Sequence, residues 1–458
     1  MYSFCTENLS IFQLSTYRSS ELKELAGKIA STHEMHQVNV QARELADYAN
    51  SNFDFGVCLR AIKGATLISK CERLKSVDFW YQQLTKISSR ARESIAVRSL
   101  LVGASQPFCS NETFELYIER QQSRGSKALK NLQRNLERAA NQSYLMAKAA
   151  SQKAFADGFL SVFVTLGLDG RYHSSSSAYL GKTFQDGYLE LSAALGSILE
   201  RLSKVGTRGI DFYGLRCVEV HEDGCPHFHI LLLIRPDLLP CITEKIRDLH
   251  RVHSVEAGMH FEKYEAKILQ VRRAEGDWCE SYGKAVAYVF KNSYAGRDTD
   301  RQKLIGALRQ KAVISTYGKH QYEFIGMNGS ASVIRELSKR GEVGQVANEL
   351  GLSGGSEDRR AKWFKAVGAL ISGGVKKYRL VKESRLNRYG EHVKRTVGVV
   401  VRGSSRHGFT GNSIRLSAVI CNSSRERRSL PTRAGEYSFA DQFYCQSIRA
   451  PPNLPWPA

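Results

Sequence analysis

Helical spacing of apolar residues runs through the first third of the chain. In the segment SKALKNLQRNLERAANQSYLMAKAASQKAF, Leu129, Leu132 and Leu136 recur three and four residues apart among strong helix formers. Because residues at this spacing share one face of an α-helix, the pattern predicts mostly helical structure from about residue 20 to 155. After Arg340 the pattern predicts short helices separated by Gly-rich breaks.

The pattern changes to that of β-strands from about Phe159. The segments SVFVTLGL, YGLRCVEV and HFHILLLI are rich in β-branched and aromatic residues or form continuous apolar runs. The last two are separated by HEDGCP, whose turn residues predict an antiparallel hairpin. Helical patterns flank the strands in LELSAALGSILERLSKV and in GDWCESYGKAVAYVFKN, with Gly296 as the expected end of the second helix. Together these elements predict an α+β fold.

The length of 458 residues exceeds what one hydrophobic core usually supports, so we expect more than one domain. The pattern divides the chain into a mostly helical N-terminal region (1–155), an α+β domain (156–300), a C-terminal region (301–402) and a tail (403–458). The tail is rich in Arg, Ser and Pro, which predicts a flexible basic segment.

Charge adds a partner to this picture. The chain has 66 Lys and Arg against 45 Asp and Glu, a formal net charge of +21. This balance favours a polyanionic partner, above all nucleic acid, although a soluble protein with solvated basic faces has the same composition. The ten cysteines include no C-x-x-C pair, which is typical of a reduced, intracellular protein.

The sequence offers no segment for a membrane. The N-terminal MYSFCTENLS lacks a basic segment followed by an apolar one, and the longest apolar run, at 230–234, is too short to span a bilayer. We therefore expect a cytoplasmic protein without a membrane partner.

The predicted hairpin carries candidate metal ligands. Alternate side chains of a strand point to one face, so Glu219 and His221 share a face. His227 and His229 share a face on the return strand. A simple register places His221 opposite His227, and it also places Glu219 opposite His229. Imidazoles and a carboxylate can bind a divalent ion, although an H-x-H pair is more often a packed or surface pair.

A candidate nucleophile follows in KAVAYVFKN. Tyr288 has Lys284 four residues before it and Lys291 three residues after it, which places all three on one side of a helix. Free tyrosine has a pKa of about 10, so a nucleophilic tyrosine needs nearby positive charge, which these lysines can supply. The alternative is a packing residue, since the chain contains twenty tyrosines.

Around these residues the sequence resembles the HUH endonucleases, and more closely the replication gene A protein family of temperate phages. FVTLGLDGRYHS resembles the first motif of that family, EVHEDGCPHFH resembles its metal motif, and AYVFKN resembles its tyrosine helix. Further similar segments are CERLKSVDFWYQQL, HQYEFIG, IREL and NRYGE. The resemblance covers roughly residues 70 to 402.

The resemblance implies an HUH core, a central antiparallel sheet flanked by helices, as a nicking endonuclease domain at 156–300. It implies single-strand cleavage at a replication origin, through a 5′-phosphotyrosyl intermediate that leaves a free 3′-hydroxyl. The metal ligands carry over to His227, His229 and Glu219, with His221 as the rival third ligand. The nucleophile carries over to Tyr288.

The resemblance also implies partners and a cofactor. These are origin DNA as a single strand, Mg²⁺ or Mn²⁺, and a DNA polymerase and a helicase of a bacterial host cell. Three other functions fit the same residues less well. They are a plasmid relaxase or single-strand transposase of the HUH class, a metallonuclease that uses water as its nucleophile, and a DNA-binding protein without activity.

One position departs from the family pattern. Relatives place two tyrosines four residues apart on the tyrosine helix, and here the earlier position is Lys284. Tyr282 and Tyr294 are six residues from Tyr288, which puts them on other helix faces. We therefore expect a single essential tyrosine.

Overall fold

The fold is seen in a computed structural model. It describes the following residues: 11–35, 72–73, 75–100, 108–123, 129–252, 269–290, 301–340, 364, 367–368, 370–371 and 378–401. The predicted tail at 403–458 lies outside the described residues, and the four predicted domain limits stay predictions.

The described part of the N-terminal region is helical, as the apolar spacing predicts. It contains α1 (Ile11–Thr16), α2 (Ser19–Met35), α3 (Val77–Leu100), α4 (Asn111–Ser123) and α5 (Leu129–Ala156). Helices α1, α2 and α3 share a core of their own. This core contains Leu14, Leu22, Ala26, Ile29, Ala30, Phe79, Trp80, Leu84 and Ile87.

A five-stranded sheet follows. Its strands are β1 (Leu160–Leu166), β2 (Phe212–Val220), β3 (Pro226–Ile234), β4 (Leu269–Arg272) and β5 (Tyr322–Ile325). The spatial order is β4-β1-β3-β2-β5, and all neighbouring strands are antiparallel. The sheet and its helices confirm a mixed α and β fold, and the pairing of β2 with β3 confirms the predicted hairpin.

Helices cover both faces of this sheet. Even-numbered residues of β1, β2 and β3 face α6 (Phe184–Ser203), α7 (Leu239–Val252) and α9 (Arg301–Thr316), and the core there includes Val162, Val164, Val218, Phe228, Ile230 and Leu232. Odd-numbered residues of these three strands face α5, α8 (Lys284–Val289) and α10 (Asn328–Arg340). Every residue of β2 and β3 is buried, which explains the continuous apolar run in β3.

The predicted helix around Tyr288 is present in the described residues. It consists of a π-helical turn (Cys279–Gly283) followed by α8, and Gly296 lies outside the described residues. A short 3-10 helix (Pro236–Leu238) joins β3 to α7. In the described part of the chain, no helix combines the length and apolarity that crossing a membrane requires.

A second, two-stranded sheet lies in the C-terminal region. Strands β6 (Tyr378–Leu386) and β7 (His392–Val401) form an antiparallel ribbon. The prediction of short helices and breaks after Arg340 is wrong for these residues. Charged side chains occupy both faces of the ribbon, so the two-residue alternation of apolar and polar positions that marks a half-buried strand is missing.

Candidate metal centre and nucleophile

The turn between β2 and β3 is a loop of three residues closed by a glycine. The backbone N–H of His221 donates to the carbonyl of Cys225 at 2.8 Å, and the N–H of Gly224 donates to the carbonyl of His221 at 2.9 Å. Gly224 has φ +82°, a left-handed conformation that suits glycine. A turn with a left-handed glycine before the return strand is a common three-residue hairpin connection.

This turn sets a register that differs from the simple one. Glu219 lies opposite His227, and Cys217 lies opposite His229. The predicted pairs of His221 with His227 and of Glu219 with His229 are therefore wrong, because the loop is centred on Asp223 rather than on Gly224. The shift is by two residues, and a shift by two keeps every side chain on its own face. The candidate ligands therefore still share one face.

The structure brings three of the four candidate ligands together. Nε2 of His227 and Nε2 of His229 each lie 3.1 Å from Oε2 of Glu219, and the two nitrogens are 3.1 Å apart. The exposed fraction is 3% for Glu219, 9% for His227 and 3% for His229. Within the described residues this is the cluster whose donor atoms could hold one metal ion. We call these three residues the triad.

The spacing and chemistry of the triad fit a divalent ion. Three ligands about 2.1 Å from one ion lie roughly 3.0 to 3.5 Å from one another. Burial would raise the pKa of the Glu219 carboxyl, but hydrogen bonds from His227 and His229 outweigh burial and hold this pKa far below its ordinary range. The carboxylate is therefore ionised, as a metal ligand must be.

A residue of β1 fixes the orientation of His229. Thr165 lies opposite His229 across the β1–β3 pair, and its Oγ1 is 3.2 Å from Nδ1 of His229. With a metal ion on Nε2, a neutral imidazole carries its proton on Nδ1 and would donate it to Thr165. The sequence placed Thr165 in a motif without a role. The pairing of β1 with β3 spans more than sixty residues, so local pattern did not reveal this contact.

His221 lies outside the triad, directly after the end of β2. Its ring centroid is 4.3 Å from that of His227 and 5.2 Å from that of His173. Desolvation by neighbouring residues and the positive charges of His227 and His173 lower the pKa of His221 to about 4. The geometry therefore favours Glu219 over His221 as the third ligand.

The turn itself is held by a contact that the sequence did not predict. Nδ1 of His173 lies 2.7 Å from a carboxylate oxygen of Asp223, and the Ser175 hydroxyl donates to the same oxygen at 2.9 Å. Burial would raise the pKa of Asp223, but the hydrogen bond and charge of His173 lower it to about 2. This contact ties the loop after β1 to the hairpin that carries the triad.

Tyr288 lies on the same face of the sheet as the triad. Its ring meets that of His229 edge to face, with centroids 5.3 Å apart, and meets that of Phe163 at 5.4 Å. Phe163 also stacks on His229 at 5.5 Å. Tyr288 is half-buried, so its ring is fixed by packing while part of the side chain reaches the surface. The predicted nucleophile and the predicted ligands are therefore neighbours.

The other residues predicted near Tyr288 have different surroundings. Tyr282 is buried, and its hydroxyl donates to the carbonyl of Phe159. Burial raises the pKa of Tyr282 to about 12. Lys284 forms an ion pair with Glu280 at 3.1 Å, and its role beside Tyr288 stays a prediction. Lys291 and Tyr294 lie outside the described residues.

Known proteins resemble this chain in sequence. It is 26% identical over 389 residues to a replication protein of Haemophilus phage HP1, covering 75% of this chain and 48% of that protein. It is 25% identical over 275 residues to the replication gene A protein of Escherichia phage P2, covering 54% and 35%. A probable replication protein of Pseudoalteromonas phage PM2 is 23% identical over 290 residues, covering 56% and 42%. The chain thus spans about half or less of these relatives.

No solved structure matches the chain. The family model for the bacteriophage replication gene A protein (GPA) matches residues 19–302, which is more than half of the sequence and includes the triad and Tyr288. The chain therefore belongs to the bacteriophage replication gene A protein family.

Proposed function

We propose that this chain is a metal-dependent endonuclease that nicks one strand of origin DNA and so starts rolling-circle replication. The observation that carries the proposal is the contact between the rings of Tyr288 and His229, because it supports a tyrosine acting next to three residues that could hold a metal ion. The antiparallel sheet flanked by helices is the core that we propose to be of the HUH type. Membership of a phage replication family supports DNA as the substrate.

Glu219, His227 and His229 would hold the ion, with Mg²⁺ or Mn²⁺ as the proposed species. When bound, such an ion polarises the scissile phosphate and neutralises its charge. The chain's own residues provide orientation. Thr165 fixes the ring of His229, and the packing of Phe163 on both rings holds Tyr288 at a set distance from the triad.

The proposed step is a transesterification. The oxygen of Tyr288 attacks the phosphorus in line with the leaving 3′-oxygen, so one phosphorus–oxygen bond forms and one breaks. The tyrosine gives up its proton to solvent, and the leaving 3′-oxygen takes one up. The products are a 5′-phosphotyrosyl link and a free 3′-hydroxyl, with no change of oxidation state. A polymerase of the host would extend that hydroxyl, and a host helicase would open the duplex.

Two other functions remain as competing proposals. A relaxase or single-strand transposase would use the same residues for the same step on other DNA ends. A metallonuclease that activates water would need the triad but not Tyr288. The edge-to-face contact of Tyr288 with His229 favours the covalent route, because a hydrolytic site has no requirement for a tyrosine at this position.

The test uses labelled single-stranded origin DNA with Mn²⁺ or Mg²⁺, and denaturing gels that resolve protein–DNA adducts. The wild-type protein is expected to form a metal-dependent covalent adduct, and Tyr288→Phe and His227→Ala are expected to lose it. Tyr282→Phe is the matched control. It removes a buried hydroxyl from the same helical segment and should keep the adduct.

Each other outcome has a definite meaning. Cleavage by Tyr288→Phe without an adduct would support the water-using metallonuclease. An adduct that persists in Tyr288→Phe and disappears in Tyr282→Phe would assign the nucleophile to Tyr282. DNA binding without cleavage or adduct would leave a binding protein.

A further inference from the structure

The ribbon of β6 and β7 is anchored at its tip. Tyr389 in the turn packs edge to face on Phe79 of α3, with centroids 6.4 Å apart. The guanidinium of Arg73 lies over the Tyr389 ring at 5.7 Å and forms an ion pair with the buried Glu391. These contacts fix the turn of the ribbon to the N-terminal helices.

The ribbon is also anchored at its base. Val399 is buried in the core between the sheet and helices α5, α8 and α10, and Leu380 packs against that core. The register shifts between Val381 and Lys382, which is where the ribbon leaves the core. A bulge of this kind bends and twists a ribbon. The stretch between the two anchors is therefore held in one orientation.

Between its anchors the ribbon is exposed on both faces. One face presents the cross-strand pairs Lys382 with Thr396, Ser384 with Lys394, and Leu386 with His392. The other face presents the pairs Glu383 with Arg395 and Arg385 with Val393. Nine of these ten side chains are exposed and Thr396 is half-buried, so the described residues leave both faces accessible.

The exposed stretch is strongly basic. From residue 382 to 395, the exposed basic residues are Lys382, Arg385, Arg388, Lys394 and Arg395, against one exposed acidic residue, Glu383. Glu383 pairs with Arg385 at 3.2 Å. Lys382, Lys394 and Arg395 form no ion pair within the described part of the chain. Within the described residues, these three charges are left to solvent or to a partner.

We propose that this ribbon binds duplex DNA, through contacts of its Lys and Arg side chains with phosphates. A two-stranded antiparallel ribbon fits the major groove of B-DNA, and exposed Lys and Arg supply the charge that phosphates attract. The proposal rests on the proposed function for the identity of its partner as DNA. It adds a duplex-binding element separate from the triad.

The composition of the ribbon favours a duplex over a single strand. Proteins that hold single strands stack bases on aromatic side chains. Residues 382–386 and 392–396 contain no Phe, Tyr or Trp, and Tyr389 is engaged with Phe79. The exposed stretch therefore offers charge without stacking surfaces, which suits the regular phosphates of a duplex.

The experiment compares Lys382→Gln/Lys394→Gln/Arg395→Gln with a control triple variant, Arg201→Gln/Lys204→Gln/Lys245→Gln. The control changes the same residue types on α6, at its C-terminal cap and on α7, and these helices cover the opposite face of the sheet. Binding to a short labelled DNA duplex and to a single strand of equal length is measured by fluorescence anisotropy across a salt series. Thermal unfolding of each variant checks that the fold is kept.

The ribbon variant is expected to bind the duplex roughly tenfold or more weakly at physiological salt, and its salt-dependence slope should fall by about 2 to 3. The control should stay within about threefold of the wild type. The double variant Lys382→Arg/Lys394→Arg keeps the charges of the wild type and should bind the duplex as the wild type does. An equal loss in the control, an unchanged slope in the ribbon variant, or a loss confined to the single strand would overturn the proposal.

Failure of this proposal is separable from failure of the proposed function. Cleavage by the wild-type protein is scored on a short single-stranded origin oligonucleotide, where no duplex is present for the ribbon. Adduct formation there without an effect of the ribbon variant on duplex binding would overturn the ribbon proposal alone. Ribbon-dependent duplex binding by a protein that forms no adduct would overturn the nicking proposal alone.

Discussion

Two β-hairpins of this chain carry histidine and charged residues in opposite ways. The β2–β3 hairpin lies in the middle of the sheet with every strand residue buried, and its turn spans three residues. The β6–β7 hairpin is a separate two-stranded ribbon whose middle is exposed on both faces. Burial brings Glu219, His227 and His229 within 3.1 Å of one another, whereas exposure spreads the charges of the ribbon along its length.

The difference shows what each environment allows. Burying a carboxylate costs free energy unless the carboxylate is paired, and in the β2–β3 hairpin the polar side chains converge on one point. Solvated charges carry no such cost, so the β6–β7 ribbon can present five exposed basic side chains at separate points. The first arrangement suits one small ion and the second suits an extended polyanion.

The largest expected effect is on metal binding. His229→Ala removes one of three donors from the triad, and Mn²⁺ affinity measured by calorimetry should fall by more than about 100-fold, since loss of outer-shell partners alone costs ~10- to 100-fold. His392→Ala, the matched change in the β6–β7 ribbon, should leave Mn²⁺ affinity unaltered. Unchanged affinity in His229→Ala would show that the triad is not the metal centre.

The next effect is on stability. Leu231 in β3 has an exposed fraction of 1%, so Leu231→Ala should lower the free energy of unfolding by about 2 to 5 kcal/mol through a cavity. Leu386 in the ribbon has an exposed fraction of 63%, so Leu386→Ala should change it by less than about 0.5 kcal/mol. Chemical denaturation measures both. Similar losses in the two variants would mean that the ribbon middle is covered in solution.

The contrast also explains which parts of the fold could be predicted. The strands β1, β2 and β3 and helices α5 and α6 have strong apolar patterns because they line a core, and the sequence predicted all of them. The ribbon has no buried face along most of its length, so its residues 382–395 carry no such pattern. The π-helical turn before α8 depends on tertiary packing, which local spacing does not show.

The part of the candidate site that lies within the β2–β3 hairpin was predicted from the sequence. Alternation along two strands put Glu219, His227 and His229 on one face, and their meeting follows from that. The predicted register was wrong by two residues, because the position of the turn depends on the left-handed conformation of Gly224. Contacts between distant segments, such as Thr165 with His229 and His173 with Asp223, needed the order of strands in the sheet.

An intermediate effect is expected from the partner of His229. Thr165→Val removes the hydroxyl that is hydrogen-bonded to Nδ1 of His229, so Mn²⁺ affinity should fall by about 10- to 100-fold. Thr165→Ser keeps a hydroxyl and should retain most of the Mn²⁺ affinity of the wild type. If Thr165 acted only through packing, the affinity would not depend on the hydroxyl. Calorimetry on both variants makes the comparison. Equal affinities of Thr165→Val and wild type would remove Thr165 from the support of the triad.

The smallest effect should appear as a gain. Glu383 is the one exposed acidic residue in the ribbon middle and pairs with Arg385, so Glu383→Gln removes repulsion of phosphates and releases a guanidinium. Duplex affinity should rise by roughly two- to fivefold at low salt, and the gain should fade as salt screens the charges. Stability should change little, because an exposed ion pair contributes about 0 to 1 kcal/mol.

Glu244→Gln is the control for this gain, since Glu244 is also exposed and pairs with Arg201 at 3.1 Å on the opposite side of the sheet. The two variants carry the same change in net charge, so any general effect of charge raises duplex affinity equally in both. A gain limited to Glu383→Gln would locate the DNA on the ribbon. Equal gains would mean that the net charge of the whole chain, rather than the orientation held by the two anchors, governs binding to the duplex.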